Sequence, residues 1–162
     1  MSIKKKFPYK AAFVACNGSC NKNQTTPACS YGCIGCGACV ENCKFDAIHL
    51  NSNGIAEVTE EKCIACGACV RVCPQKIIRI HDCANYIAVK CSNHDKGADA
   101  KNQCAVSCIG CGICEKNCTA SAIHVINFCA EIDETYCLSC GMCSVKCPRK
   151  VIHDLRRIFT EK

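Results

Sequence analysis

A cysteine pattern with the spacing C-x-x-C-G-x-C-x-x-x-C occurs four times in this chain of 162 residues. Its sixteen cysteines are Cys33, Cys36, Cys39, Cys43, Cys63, Cys66, Cys69, Cys73, Cys108, Cys111, Cys114, Cys118, Cys137, Cys140, Cys143 and Cys147. Three thiols spaced by two residues can wrap a loop around three corners of a [4Fe–4S] cube, whereas the fourth lies on the outgoing helical turn and points away. The spacing therefore predicts iron–sulfur clusters whose ligands come from more than one motif.

The fourth cysteine of each motif is assigned to a neighbouring cluster. In chains that hold two [4Fe–4S] clusters, this cysteine ligates the other cluster. The predicted ligands are Cys33, Cys36, Cys39 and Cys73 for cluster I, and Cys43, Cys63, Cys66 and Cys69 for cluster II. They are Cys108, Cys111, Cys114 and Cys147 for cluster III, and Cys118, Cys137, Cys140 and Cys143 for cluster IV. The sequence thus predicts four clusters with crossed ligands.

A glycine follows the second cysteine of every motif. These residues are Gly37, Gly67, Gly112 and Gly141. A residue without Cβ lets the backbone bend close to the inorganic core and point its N–H groups at sulfur. Zinc knuckles pair two C-x-x-C halves across a longer spacer, so they give no reason for a third and a fourth cysteine in every copy. A disulfide framework would not require the glycine. The pattern favours iron–sulfur clusters over both alternatives.

Seven cysteines lie outside the motifs, namely Cys16, Cys20, Cys29, Cys83, Cys91, Cys104 and Cys129. Cys16 and Cys29 have counterparts 75 positions later in Cys91 and Cys104, and these four could converge on a fifth [4Fe–4S] cluster. An alternative set is Cys16, Cys20 and Cys29 with one further thiol. Free cysteine also serves as a small buried apolar residue, and spacing alone does not decide the pairing. Cys83 and Cys129 have no repeat counterpart, and we predict that they are packing residues.

The chain is a tandem repeat, because the residues between the motifs recur as well. The text from Phe45 to Cys63 aligns with that from Ala120 to Cys137 after one deletion. The predicted fold class is α+β, with two tandem ferredoxin-like units that each carry two [4Fe–4S] clusters. The predicted division is an N-terminal segment with extra cysteines, a first unit, a second unit and a tail, at residues 1–28, 29–89, 90–153 and 154–162.

Short elements must position the motifs. Asn51-Ser-Asn-Gly54 is a favourable hairpin turn, because Asn and Gly tolerate positive φ, and residues 82–85 are placed in the same way. The predicted strand pairs are 47–50 with 55–58, and 77–80 with 86–89. The stretches 38–42 and 68–72 are long enough for a turn or two of helix, and Pro74 and Pro148 end the second helix of each unit.

Composition narrows the class of protein. Twenty-three cysteines in 162 residues indicate a metal protein or a disulfide scaffold, and we expect no signal peptide before them. The formal charge of +6 falls to about −2 if four clusters carry about −2 each, so the sequence does not favour nucleic-acid binding. No segment is long enough to cross a bilayer. Units of this size have marginal hydrophobic cores, and bound metal supplies stability that the core lacks.

The remaining polar residues show no substrate chemistry. We find no phosphate-binding loop, no nucleophile with its base and no acid–base pair, so we predict no catalytic residues. His49, His124 and His153 lie at strand-like positions and are predicted to be partly buried packing residues rather than ligands. Lys4, Lys5 and Lys6 are interpreted as a solvated basic terminus, with docking to an acidic partner as the alternative.

Several stretches resemble the cluster-bearing region of the B subunit of Rnf complexes, the membrane ferredoxin:NAD oxidoreductases. The most specific are "VACNGSC", "CSYGC" and "CSNHDKG", and the resemblance extends from about Ala12 to Ile152. It implies bacterial-type ferredoxin folds and low-potential electron transfer. Compared with that family, we expect no N-terminal membrane helix in this sequence, and the stretch from Cys20 to Cys29 is short.

The predicted function is an electron-transfer subunit that relays electrons between a ferredoxin or flavoprotein and a partner oxidoreductase, within a hetero-oligomeric complex. One alternative is a free-standing polyferredoxin that shuttles by diffusion. Another is a structural metal-binding module used for interaction. We expect a cytoplasmic protein without membrane insertion, with peripheral contact to a membrane complex as a further option.

Overall fold

A computed structural model describes residues 9–18, 29–156 and 158–159. The helices in these ranges are α1 (Ala38–Glu41), α2 (Ala68–Val72), α3 (Gly97–Gln103), α4 (Ile113–Lys116) and α5 (Met142–Lys146). The strands are β1 (Lys10–Val14), β2 (Ile48–Leu50), β3 (Ala56–Val58), β4 (Ile78–Asp82), β5 (Ile87–Val89), β6 (Ile123–Ile126), β7 (Cys129–Ile132) and β8 (Ile152–Asp154). The predicted mixture of short helices and strands is present.

The strands form four antiparallel pairs. β1 pairs with β4 and β2 with β3, and all four belong to residues 10–82, which we call the N-terminal half. β5 pairs with β8 and β6 with β7, within residues 87–154, the C-terminal half. In both halves one strand pair joins the two ends of that half, namely β1 with β4 and β5 with β8; we call this the outer pair. The other pair, β2 with β3 or β6 with β7, is a hairpin between the two motif helices of its half, and we call it the inner pair.

The first predicted hairpin is confirmed. β2 and β3 pair in register from Ile48 with Val58 to Leu50 with Ala56. The side-chain Oδ1 of Asn51 accepts hydrogen bonds from the backbone N–H groups of Asn53, at 3.0 Å, and Ile55, at 3.1 Å. This Asx-type turn is closed by Gly54, whose φ is +72°, a conformation that favours glycine.

The predicted hairpin between residues 77–80 and 86–89 is wrong. β4 pairs along its whole length with β1, so Ile78 faces Val14 and Ile80 faces Ala12. β5 pairs instead with β8, and all three of its residues are buried. Residues 82–85 do form a turn, but the burial of apolar side chains on distant strands, and not the turn, selects the partners.

Two elements were not predicted from sequence. β1 precedes the first motif, in the segment that we assigned to residues 1–28. α3 lies in the C-terminal half, before the third motif, and leads directly into Cys104, whose N–H donates to Ala100 O at 3.1 Å. The predicted division of the chain stays a prediction. β1 lies within the segment predicted as residues 1–28, and α3 lies within the second unit, predicted as residues 90–153.

Each half has a small hydrophobic core of its own. Ile48, Ile77 and Ile78 are central in the N-terminal half. The corresponding residues of the C-terminal half are Ile87, Ile123, Val151 and Ile152. Motif cysteines are members of both cores, so the candidate ligands and the core are one structure. Stability of such small cores depends on what the cysteines bind.

Candidate metal centres

The four motif loops share one backbone feature. Each ends at its glycine with φ between +71° and +79°, and a short helix starts at the next residue. A Cβ disfavours this conformation, so glycine is required here. The third cysteine of each motif is therefore the second residue of a helix, and the fourth lies at or just beyond the helix end. The loop turns three thiols to one side, and the helix carries the fourth away.

The first predicted set comes together in the N-terminal half. Cys33, Cys36, Cys39 and Cys73 line one cavity, which is closed by apolar side chains that include Val14. Burial raises the pKa of the Cys39 thiol to about 11, with the neighbouring thiols of Cys33 and Cys73 adding to the effect. The cysteine that comes from the second motif, Cys73, thus lies among cysteines of the first.

The second predicted set also lines a single cavity. Its cysteines are Cys43, Cys63, Cys66 and Cys69, together with apolar residues that include Ile64. The pKa of the Cys69 thiol is raised by burial and by the proximity of Cys63 and Cys43. Cys43 belongs to the first motif, so the exchange of fourth cysteines is reciprocal in this half.

The third set shows the same arrangement in the C-terminal half. Cys108, Cys111, Cys114 and Cys147 line one cavity. Burial raises the pKa of the Cys114 thiol to about 11, and the neighbouring thiols of Cys108, Cys111 and Cys147 raise it further. Cys147 comes from the fourth motif and takes the place that Cys73 has in the first set.

For the fourth set, the structure gives contacts of its individual cysteines. Burial raises the pKa of the Cys143 thiol to about 12, and Cys137 and Cys140 are among the neighbouring thiols that add to this effect. The Sγ of Cys118 accepts a hydrogen bond from Ala122 N–H at 3.3 Å. The corresponding bond in the N-terminal half joins Ala47 N–H to Cys43 Sγ at 3.4 Å. Cys118 therefore has the same local support as its counterpart in the second set.

Backbone N–H groups point at several motif sulfurs. Ala12 donates to Cys63 at 3.3 Å, Ala56 to Cys33 at 3.4 Å and Ala65 to Cys63 at 3.4 Å. Such N–H···S bonds stabilise thiolate ligands and tune the potential of a bound cluster. Thiols held in fours, in glycine loops and with N–H donors, fit [4Fe–4S] clusters.

One corner of each candidate centre faces solvent. The second cysteine of every motif is exposed, and these residues are Cys36, Cys66, Cys111 and Cys140. The third cysteine is buried in three of the four motifs. The apolar residue after the first cysteine, such as Ile34 or Ile64, lines its cavity and is also partly exposed. Each centre is thus shielded on the core side and accessible at one edge.

Four cysteines outside the motifs line a further cavity. They are Cys16, Cys29, Cys91 and Cys104, which is the symmetric set considered for a fifth cluster. Cys20, which the alternative set requires, lies outside the described residues, as do Lys4, Lys5 and Lys6.

Cys83 and Cys129 are buried core residues, each 2% exposed, as expected for packing cysteines. Cys129 has a second feature that the sequence did not indicate. Its thiol lies against Cys91 and Cys108, and its Sγ donates to the carbonyl oxygen of Cys91 at 3.5 Å. Hydrogen bonding with Cys129 lowers the pKa of the Cys91 and Cys108 thiols and raises the pKa of Cys129 itself. Cys129 aligns with Ile55 of the first repeat, so no counterpart marked it for attention.

The interpretation of two histidines is wrong. His49 and His124 are exposed, with side-chain exposures of 56% and 49%, and they face Glu57 and Glu115. In short two-stranded sheets only one face is covered, so alternate residues face solvent. His153 is partly buried as predicted, and desolvation, with the nearby charge of Lys90, lowers its pKa.

A separate polar group lies at the end of β4. Ligand-type atoms of Glu60, His81 and Cys83 all lie within 4.8 Å of one another. Tyr9 donates from its hydroxyl to Glu60 Oε1 at 2.7 Å, and this bond, together with burial, raises the pKa of Tyr9 to about 12. Sequence did not indicate this group, because Glu60 is distant in sequence from His81 and Cys83.

Family models match all four motifs. Two models of a 4Fe-4S dicluster domain match residues 32–77 and 62–122, and a model of a 4Fe-4S binding domain matches residues 130–153. Residues 32–122 and 130–153 therefore form ferredoxin-type 4Fe-4S domains. The matched ranges contain all sixteen motif cysteines, whereas Cys16 and Cys29 precede them.

Curated relatives of this ferredoxin are the B subunits of oxidoreductase complexes. It is 44% identical over 106 residues to the B subunit of the ion-translocating oxidoreductase complex of Methanosarcina acetivorans, covering 65% of this chain and 40% of that protein. It is 39% identical over 124 residues to the B subunit of the Na⁺-translocating ferredoxin:NAD⁺ oxidoreductase complex of Acetobacterium woodii, covering 76% of this chain and 35% of that protein. The resemblance to the Rnf B subunit is confirmed.

A third relative is the B subunit of the proton-translocating ferredoxin:NAD⁺ oxidoreductase complex of Clostridium ljungdahlii, at 36% identity over 67% of this chain and 38% of that protein. The chain therefore spans well under half the length of these relatives. A solved structure, the formate dehydrogenase, heterodisulfide reductase and formylmethanofuran dehydrogenase complex of Methanospirillum hungatei, contains a chain at 20% identity with a TM-score of 0.31, covering 81% of this chain and 54% of that chain. Within the described residues, no helix combines the length and apolar character that a membrane span needs.

Proposed function

We propose that this chain is an electron relay with four [4Fe–4S] clusters, held by the crossed ligand sets predicted from the motif spacing. The observation that carries this proposal is the reciprocal placement of Cys73 among the cysteines of the first motif and of Cys43 among those of the second. Zinc sites built from adjacent C-x-x-C pairs have no use for such an exchange. When bound, the clusters would supply one-electron redox chemistry, and the protein would supply ligands, N–H donors and shielding.

The two halves are proposed to be duplicated two-cluster units. Support comes from the strand pairing, in which the outer and inner pairs follow the same order in each half. Further support comes from matching bonds to sulfur, such as those from Ala47 to Cys43 and from Ala122 to Cys118. Within a unit, crossed ligands would tie two clusters to one pair of helices that contact each other, α1 with α2 and α4 with α5.

Electrons are proposed to enter and leave at the solvent-facing edges of the clusters. The exposed second cysteine of each motif marks that edge. We propose that the donor is a ferredoxin or flavoprotein and the acceptor another oxidoreductase subunit, by analogy with relatives whose names are those of ferredoxin:NAD⁺ oxidoreductase subunits. The chain itself contributes no catalytic residue in this proposal, and it acts in the cytoplasm, at the periphery of a larger complex.

The first test is metal analysis of anaerobically purified protein. We expect at least about 16 iron and 16 sulfide per chain, charge-transfer absorbance that bleaches with dithionite, and reduced-state EPR signals. Zinc in place of iron, with no charge-transfer absorbance, would establish the structural module instead.

The second test distinguishes a stable complex from a diffusible carrier. The reduced protein is mixed with an oxidised flavoprotein or ferredoxin, and binding and electron transfer are measured at increasing ionic strength. If the chain is part of a complex, it is expected to co-purify with its partner. Turnover with several partners, without any isolable complex, would favour the free-standing polyferredoxin.

A further inference from the structure

A cavity between the two halves is lined by cysteines that no motif uses. Cys16 and Cys29 come from the beginning of the chain, and Cys91 and Cys104 come from the corresponding positions of the second repeat. The cavity is also lined by polar residues, among them Asn93. Each repeat thus contributes two thiols to one place, although the pairs are 75 residues apart in sequence.

Three of the four thiols in this cavity accept the same kind of hydrogen bond as the motif thiols. Cys33 N–H donates to Cys16 Sγ at 3.4 Å, and Cys108 N–H donates to Cys91 Sγ at 3.3 Å. Asn93 donates twice, from its backbone N–H to Cys91 at 3.5 Å and from Nδ2 to Cys29 at 3.4 Å. Donors directed at sulfur are typical of cluster ligands, because they stabilise thiolate.

The surroundings of the cavity are fixed by buried polar contacts. Asn93 is 1% exposed, and its Oδ1 accepts from Asp95 N–H at 2.8 Å, so its amide is held with the NH₂ group toward Cys29. Ser107, also 1% exposed, donates to Ala100 O at 2.7 Å. Arg149 donates from Nη2 to the carbonyl of Cys104 at 2.9 Å.

Helix α3, which delivers Cys104, is packed tightly against the third motif. A Cβ on Gly97 would lie 2.7 Å from Ile109 O, so the helix starts in direct contact with that loop. The two halves also meet beside the cavity, where Ser92 Oγ donates to Ala15 O at 3.1 Å. These contacts bring the two pairs of thiols to a common site and hold them there.

We propose that Cys16, Cys29, Cys91 and Cys104 ligate a fifth [4Fe–4S] cluster between the halves. The proposal rests on the proposed function in one respect, namely that the chain is loaded with iron and sulfide. A site of four thiolates also suits zinc, so the metal is part of the test.

The fifth cluster connects the two pairs of clusters. The residue that donates to Cys16 is Cys33, a ligand of cluster I, and the residue that donates to Cys91 is Cys108, a ligand of cluster III. The central site therefore adjoins one cluster in each half, and the electron path runs through clusters II, I, V, III and IV in that order. Two ferredoxin units become one continuous relay.

The test is the iron, sulfide and zinc content of the full chain after anaerobic reconstitution. The expected wild-type value is about 20 iron per chain, five clusters of four. About 16 iron without zinc overturns the fifth cluster while the proposed function stands, and about 16 iron with about one zinc assigns zinc to the central site. Much less iron, with no dithionite-sensitive absorbance, contradicts the proposed function itself.

A matched set of variants locates the fifth cluster. The double substitution Cys29→Ala with Cys104→Ala removes one ligand from each half, and about 16 iron is expected. Cys83→Ala removes a buried cysteine outside the site, and Cys20→Ala tests the alternative set, so both should retain about 20. Loss of about four iron in Cys20→Ala, or none in the double variant, overturns the symmetric set. Circular dichroism monitors folding, and the wild-type count decides if a variant does not fold.

Discussion

The side-chain amide of Asn93 donates a hydrogen bond to the sulfur of Cys29, 3.4 Å away and 64 positions earlier in the chain. This contact joins the two halves at the proposed fifth cluster. It makes Asn93 a positioning residue whose N–H group also acts on the charge at sulfur. Since a reduced cluster is more negative than an oxidised one, such a donor stabilises the reduced state and raises the potential.

Replacing Asn93 by Leu is expected to lower the potential of one cluster. Leucine has a similar volume and lacks the donor. The shift should be on the order of 30 to 60 mV, because 59 mV corresponds to a tenfold change for a one-electron couple. An EPR-monitored redox titration measures it, and the iron content should stay near the wild-type value. Asn117→Leu is the control, since Asn117 donates from its side chain to a backbone carbonyl, that of Ile113. Equal shifts in both variants would contradict a specific role for Asn93.

Cys129 tests the distinction between a ligand and a packing residue. Cys129→Val is expected to keep the full iron content, because no proposed cluster uses this thiol. It removes the S–H group that lies beside Cys91, so the potential of the cluster that Cys91 would ligate should fall. Metal analysis and a redox titration measure the two effects. Loss of about four iron per chain would show that Cys129 is a ligand. The matched control is Ile55→Val, at the aligned position of the first repeat, which should leave the potentials unchanged.

The motif glycines allow a comparison of backbone strain with steric overlap. At Gly112 a Cβ would meet no protein atom within 4 Å, but φ is +71°, so Gly112→Ala carries at least the conformational cost of about 1 to 2 kcal/mol. At Gly141 φ is similar, and a Cβ would also overlap the ring of Phe159. Gly141→Ala should therefore lower the free energy of unfolding further. Anaerobic denaturant titrations measure the loss in the free energy of unfolding for each variant. In the double variant Gly141→Ala with Phe159→Ala, this loss should return to that of Gly112→Ala. Equal losses in the single variants would contradict the overlap.

His153 predicts a pH dependence of stability. Desolvation lowers its pKa in the folded state, so the unfolded chain binds a proton more readily. At a pH well above the unfolded pKa of about 6.5, His153 is neutral in both states and does not change the free energy of unfolding. As the pH drops below that value, the unfolded chain takes up the proton more readily, so the free energy of unfolding falls. In the His153→Gln variant, the free energy of unfolding should fall less on acidification than it does in the wild type. The free energy of unfolding is measured at pH 7.5 and at pH 5.5 for both proteins, and the change between the two pH values is compared. Any acid lability of the clusters is common to variant and wild type and cancels in this comparison. His49→Gln, at an exposed site, should behave as wild type.

The sequence by itself determined the local features. The motif spacing and its glycine specify a loop that turns three thiols to one side, because a glycine with positive φ and a short helix are local properties. The turn from Asn51 to Gly54 was predictable for the same reason. The repeat offset indicated the symmetric set of surplus cysteines, although it could not choose between that set and one with Cys20.

Tertiary packing selects the distant partners that no motif spacing indicates. It paired β4 with β1, against the predicted hairpin, because strand choice follows the burial of apolar faces. It placed Cys129 beside Cys91 and Cys108, and Asn93 beside Cys29. Contacts between side chains far apart in the chain arise from how strands and helices pack, and no local pattern encodes them. The sequence therefore supplied the candidate ligands, and the packing of the two halves brought four of them together in a central site.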